Sequence, residues 1–247
     1  MTDDPAPAWP DDPALFLDLD GTLLHFADDP QGVVVTARVR RLLGRLATAT
    51  GGAIAFVSGR AMADLDRLLA PHRFPVAAVH GLERRDGSGR IVRAPVDERG
   101  FAALERSLQR FVAAHPGLLL EHKGLTLALH YRRRPELESA VIDAVDAAIA
   151  ESAPELEAMR GNRVVEVKSA AQDKGSAILA FMHETPFAGR TPVFVGDDVT
   201  DEFGFRAVNE LGGLSVKVDS GATAARYRLP DIDAVLSWLE ELVARPV

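Results

Sequence analysis

Asp18 and Asp20 lie two residues apart just after the apolar run Ala14–Leu17, and Gly21 and Thr22 follow at once. Carboxylates this close repel, and one of them protonates unless a cation sits between them. Ligand crevices form outside strand ends in an open parallel sheet. There such a pair can supply a nucleophile and an acid/base, although alone it can equally be a solvated turn. A second acidic loop, Gly196-Asp197-Asp198-Val199-Thr200-Asp201-Glu202, follows Pro192–Val195 and holds four acids within six residues. Asp201 and Glu202 suit the start of a helix begun at Thr200, a role that competes with direct chemistry. Asp197 and Asp198 precede that helix and lack this explanation. Oxygen ligands of this kind select a hard cation, magnesium first. Ser58-Gly59-Arg60 offers a hydroxyl and backbone N–H groups at a helix start, which is an anion site or an ordinary cap. Asp173-Lys174-Gly175 sets a lysine at the positive end of a helix dipole, where it either meets a phosphate or turns to solvent. Together these loops hold a nucleophile, an acid/base, a cation site, a hydroxyl and a lysine, the set that phosphoryl transfer uses.

The elements that must position these loops are legible as short apolar runs alternating with helical periodicity. The runs are Ala14–Leu17, Ala53–Val57, Val76–Val79, Pro192–Val195 and Leu214–Val218. Val39, Leu42, Leu43 and Leu46 mark one helix, and Leu65, Leu68 and Leu69 another. Short buried strands between helices predict a parallel sheet. From about Arg84 to Gln172 the pattern becomes α+β. Helical segments run near Phe101–Ala114 and Pro135–Ala150, and strands alternate polar and apolar around the turn Arg160-Gly161-Asn162-Arg163. The reading is a second domain inserted into the first: an arm at 1–12, a core at 13–83 and 173–247, and an insertion at 84–172.

The chain has 247 residues, 47% apolar and 26% charged, with a net charge of −8 and no cysteine. This excludes a disulfide framework and thiolate metal ligands, and it argues against a nucleic-acid partner. No apolar run reaches membrane-spanning length. The acidic, proline-rich start lacks the features of a signal peptide, so a cytoplasmic protein with a loose N-terminal arm is expected.

Asp18-Leu19-Asp20-Gly21-Thr22, Ser58, Lys174 and Gly196-Asp197-Asp198 resemble, in order and across nearly the whole chain, the four motifs of the haloacid dehalogenase superfamily. A wider set is similar to the trehalose-6-phosphate phosphatase family: Ser58-Gly59-Arg60, His80-Gly81, Glu121-His122-Lys123, His130-Tyr131-Arg132, Glu166, Lys174-Gly175, the loop through Glu202, and Val216-Lys217-Val218 through Thr223, Ala224, Tyr227 and Leu229. Two departures stand out: Lys168-Ser169 where that family usually has Arg-Pro, and Asp219 where it commonly has glycine. The resemblance implies an α/β, Rossmann-like core with a parallel sheet and an inserted α+β cap domain that selects the substrate. It implies hydrolysis of trehalose 6-phosphate in trehalose biosynthesis, with a functional link to a trehalose-phosphate synthase; a monomer is expected.

On that reading Asp18 attacks phosphorus, Asp20 is the acid and then the base, and Ser58 and Lys174 hold phosphoryl oxygens. Magnesium lies at Asp18, the Asp20 carbonyl and Asp197, with Asp198 and Asp201 as outer or alternate ligands. Gly21, Thr22, Gly59 and Arg60 line the phosphate. If Lys123-Gly124 is a two-residue hairpin turn, Glu121 lies opposite Thr126, with His130 and Arg132 on the same polar face and Leu125, Leu127, Leu129 and Tyr131 on the other. The resemblance points to Glu121, Lys123 and Glu166 as the sugar contacts; by themselves they read as solvated charges. His80 either touches substrate or ends a core strand. Three readings compete: a phosphatase for another phosphosugar such as sucrose phosphate or mannosyl-phosphoglycerate, a phosphorylated receiver, and a non-catalytic sugar-phosphate binding module. Receivers are about half this length, and the intact set Asp18, Asp20, Lys174 and Asp197 argues against a module.

Overall fold

The structure, a computed structural model, describes residues 6–25, 32–95, 97–122, 124, 126–154, 156–161, 163–169 and 172–245. The chain divides into two compact units, residues 1–93 with 173–247, and residues 94–172.

The first unit is built on eight strands. They are β1 (Pro13–Leu17), β2 (Ile54–Val57), β3 (Val76–Ala78), β4 (Glu83–Arg85), β5 (Ile91–Arg93), β10 (Thr191–Gly196), β11 (Leu214–Val218) and β12 (Tyr227–Leu229), in the spatial order β12-β11-β10-β1-β2-β3-β4-β5. Pairing is parallel from β12 to β3 and antiparallel from β3 to β5. Its helices are α1 (Ala37–Ala49), α2 (Met62–Leu69), α5 (Lys174–Met182), α6 (Asp201–Glu210) and α7 (Ile232–Ala244). Ala14 and Phe16 of β1, Ala55 and Val57 of β2 and Phe194 of β10 share a buried cluster with Ile178 and Phe181 of α5 and Phe205 of α6. The intervening residues Leu15, Leu17, Ile54 and Phe56 face the opposite side and are equally buried. Both faces are therefore covered, and that is why these strands read as continuous apolar runs.

The expected domain boundary at Arg84 is displaced. Arg84 pairs with Ala77 and Val92, so the hairpin β4–β5 extends the core sheet and the division falls after Arg93. The hairpin turn is held by Asp86, whose carboxylate accepts from Ser88 and Arg90. Those bonds, Ser88 first, hold its pKa at about 2. The expected loose arm is also corrected over its described part. Trp9 stacks on Trp238 of α7 with ring centroids 3.8 Å apart, and Trp238 Nε1 donates to the Pro7 carbonyl at 2.8 Å. Two indoles and their N–H groups satisfied in one contact give the arm a fixed seat.

The second unit has a four-stranded antiparallel sheet in the order β6-β7-β9-β8. Its strands are β6 (Leu119–His122), β7 (Leu127–His130), β8 (Leu156–Gly161) and β9 (Val164–Ser169), and its helices are α3 (Glu98–Ala114) and α4 (Glu138–Ser152). Leu127, Leu129, Tyr131, Val165 and Val167 form one core with Leu104, Leu108, Val141 and Val145 of the helices. The β8–β9 turn is the expected one; Gly161 pairs with Val164, and Arg163 takes a φ of 60°.

The register at β6–β7 differs from expectation by two residues. Glu121 faces Ala128, not Thr126, because the loop spans 123–126 rather than two residues. The shift is even, so the faces are unchanged. Arg132 does not lie on the sheet, since β7 ends at His130 and the chain turns away exposed. Lys123 and Leu125 lie outside the described residues.

Candidate active site

Three of the four loops leave the same edge of the sheet, because β1, β2 and β10 run parallel and the loops follow their C-terminal ends. Asp18 follows β1 and is 4% exposed. Its Oδ1 accepts from Lys174 Nζ at 2.9 Å, and its Oδ2 lies 3.4 Å from Thr22 Oγ1, which also reaches Asp197 Oδ1 at 3.2 Å. Lys174, the first residue of α5, is buried; it turns inward and pairs with Asp201 Oδ1 at 2.7 Å as well. Solvent is thus not its destination. Asp173 caps α5 by accepting from Ser176 N at 2.7 Å, and Ser176 Oγ accepts from Asp173 N in return. This capping box fixes the turn from which Lys174 projects.

Asp201 is fully buried at the start of α6. Its Oδ2 accepts from the backbone N–H groups of Asp197 and Asp198, both at 2.9 Å. One carboxylate therefore shapes the acidic loop and neutralises the lysine. It sits over Gly196, where a Cβ would come within 2.3 Å of its Cγ. Gly21 is constrained in the same way; its φ is +80°, and a Cβ there would meet Asp197 Oδ2 at 2.1 Å.

Asp18, Asp197 and Asp201 can present ligand oxygens all within 4.8 Å of one another. Burial, with Asp201 and Asp197 nearby, pushes the Asp18 carboxyl well above the usual range although Lys174 pulls against it. Burial and Asp201 likewise push Asp197 up to about 6. Burial alone would lower the Lys174 ammonium, but Asp18 and Asp201 outweigh it and hold it above its ordinary value. Three carboxylates crowd one ammonium here, an arrangement that a cation would relieve. An all-oxygen set of this kind fits a hard divalent cation.

The carboxylates of Asp20 and Asp198 do not belong to that group. Asp20 is gripped by Arg60, whose Nε and Nη2 donate to its two oxygens at 2.5 and 2.6 Å. Asp198 is exposed, and its Oδ1 accepts from Val199 N at 2.6 Å. Ser58 is buried, its Oγ accepting from Arg60 N at 3.3 Å. His80 follows β3 with a φ of 57°. Its N–H donates to the Ser58 carbonyl, and its ring lies where a Cβ on Gly59 would be, 2.6 Å away. His80 thus lies two residues past the end of β3 and packs on the serine loop. Glu202 Oε2 accepts from Ala224 N at 2.7 Å and so ties α6 to the loop after β11.

Sequence reasoning passed over Lys217 as a site residue. It is 6% exposed, and its Nζ donates to the carbonyls of Asp197 and Val218. The signal was a lysine inside the apolar run Leu214–Val218, where an ammonium needs acceptors.

In the second unit His130 Nε2 lies 2.9 Å from Glu121 Oε2. Glu166 is 8% exposed and accepts from Thr126 Oγ1 at 3.1 Å. It is therefore not the solvated charge that its strand position alone suggests.

A sequence model of the trehalose-phosphatase family matches residues 16–233. The chain belongs to that family. It is 47% identical over 227 residues to the Escherichia coli trehalose-6-phosphate phosphatase, covering 92% of this chain and 85% of that one. It is 35% identical over 240 residues to a bifunctional trehalose-6-phosphate synthase/phosphatase of Thermoproteus tenax, covering 92% of this chain and 31% of that one. The fold matches that of the C-terminal domain of Candida albicans trehalose-6-phosphate phosphatase with a TM-score of 0.80, at 24% identity and with 95% and 93% of the two chains covered.

Proposed function

We propose that the protein is a magnesium-dependent phosphatase that hydrolyses trehalose 6-phosphate to trehalose and phosphate through an aspartyl-phosphate on Asp18. The observation that carries the chemistry is the grip on Asp18, whose two oxygens face Lys174 and Thr22 at a strand end. The substrate rests on the identity to the E. coli enzyme. One Asp18 oxygen attacks phosphorus as the bond from phosphorus to the sugar oxygen breaks, and Asp20 protonates that oxygen. Asp20 then takes a proton from water as the water oxygen attacks the acyl phosphate, which releases phosphate and restores Asp18. Both Asp20 oxygens accept from Arg60 in this state, so the acid step requires that fork to open. Lys174 and Ser58 hold phosphoryl oxygens. Asp18 and Asp197, with Asp201 beside them, would hold Mg²⁺, which when bound offsets the repulsion between a carboxylate and an anionic phosphate.

Glu121, Lys123, His130 and Glu166 are the residues we assign to the sugar, with residues 94–172 as the specificity domain. A cytoplasmic enzyme working beside a synthase is in keeping with the two activities joined in the Thermoproteus relative.

The test is phosphate release from a panel of phosphosugars, with magnesium or chelator, by the native protein and Asp18→Asn. Trehalose 6-phosphate should stand far above the others. Chelation should abolish the signal, and Asp18→Asn should lower it by at least ~10²-fold. A different preferred phosphosugar would sink the sugar assignments and leave the core chemistry standing. No hydrolysis of any ester would leave only a binding module.

A further inference from the structure

Helix α1 is unlike the rest of this acidic chain. It carries Arg38, Arg40, Arg41 and Arg45 and no acid, in a protein of net charge −8. Three of these lie in its first turn and a half, where the helix dipole is already positive and cations are disfavoured. Arg41 and Arg45, one turn apart, repel as well. Arg38, Arg41 and Arg45 line one groove of about 270 Å³ between α1 and α7, with Leu42 and Glu240.

The three guanidiniums are not equally engaged. Arg38 is used up, with Nε and Nη2 on the two oxygens of Glu240 at 2.9 and 3.0 Å and Nη1 on Asp233 at 3.3 Å. Arg45 makes one long bond, Nη2 to the Val243 carbonyl at 3.4 Å. Arg41 makes no hydrogen bond or ion pair among the described residues. Glu240 adds little negative potential to the groove because Arg38 already neutralises it.

We infer that the α1–α7 groove is a second anion site, built for a phosphate dianion held by Arg41 and Arg45. Paired guanidiniums one turn apart offer forked donors to tetrahedral oxygens, and a dianion would remove the like-charge conflict within α1. The shared chemistry admits free inorganic phosphate or the phosphate of a small organic ester. The concave shape and its size favour either over an acidic protein surface.

The experiment is equilibrium dialysis of inorganic phosphate, and separately of phenylphosphonate, whose C–P bond a phosphomonoesterase does not cleave. Native protein, Arg41→Glu/Arg45→Glu and Lys174→Met are compared at equal ionic strength. The native chain should bind two phosphates. Arg41→Glu/Arg45→Glu should retain the active-site phosphate and weaken the other by at least about tenfold, given charge-assisted hydrogen bonds. Lys174→Met should retain the groove site. Competition by phenylphosphonate in Lys174→Met would identify an ester phosphate as an acceptable occupant, and its failure would restrict the site to the free ion. A native chain whose bound phosphate is all lost in Lys174→Met, or identical binding in the arginine double variant, would overturn the inference. So would binding of polyglutamate, but not of phosphate, by the Lys174→Met protein. Arg41 and Arg45 are exposed, so the double variant should fold, and its circular dichroism should match the native spectrum.

Discussion

Asp197 carries a conflict between burial and charge that can be read in solution. Its carboxyl is pushed up to about 6, against 3.8 for the ordinary side chain. Between those values the folded chain binds more protons than the unfolded one, so this group makes stability fall as pH rises. In chelator, the melting temperature of the native protein should therefore drop from pH 4 to pH 6 more steeply than that of Asp197→Asn. At pH 7 the variant should be the more stable of the two, and magnesium should raise only the native value. Parallel curves would refute this account. Lys217 is the neighbouring test. Its ammonium donates to the Asp197 carbonyl, so if Asp197 holds magnesium as proposed, Lys217→Met should weaken that binding by about 10- to 100-fold, the usual cost of losing an outer partner of a metal ligand. Titration calorimetry on the folded variant reads this directly, and unchanged affinity would make Lys217 a packing residue only.

At the scale of elements, the cap of α5 sets the turn from which Lys174 reaches Asp18. Asp173→Ala removes the capping box and should cost about 0.5–2 kcal/mol in urea denaturation. It should also lower phosphatase activity at temperatures where the protein remains folded, because Lys174 is the next residue. A stability loss with full activity would mean that the Asp18–Lys174 pair holds itself. The sequence announced α1, α2, α3 and α4 through helical patterns, this helix through an apolar run behind the cap Asp173, and α6 through its start at Thr200. It announced the central strands because both sheet faces are covered. The hairpin β4–β5 was not legible as core: Ile91, Val92 and Arg93 are all exposed at the sheet edge, so no burial pattern ties them to it. The β6–β7 register depends on loop length, and no residue type at 123–126 fixes that. The four motif loops were legible as a set. The Arg60–Asp20 fork and the double duty of Asp201 were not, since each joins residues distant in sequence by contacts that spacing does not encode. Asp219 was noticed as a departure from glycine, and its φ of 68° gives the physical reason glycine suits that position.

At the scale of the molecule, residues 94–172 have their own sheet, two helices and a core. Expressed alone, this segment should fold, with a cooperative thermal transition and dispersed amide resonances; a broad, non-cooperative melt would show that it depends on the rest of the chain. A segment this short buries a smaller share of its surface than the full chain, so its midpoint should lie below that of the full protein. The order of strands carries a further consequence. β1 sits between β2 and β10, and Leu17, next to Asp18, is paired with Val195. On the ribosome, the central strand must therefore wait for a neighbour more than 170 residues behind it, while the contiguous segment 94–172 can complete itself first. Asp197 and Asp201 lie beyond Gly196, so the acidic cluster around Asp18 cannot close until that late loop has been synthesised.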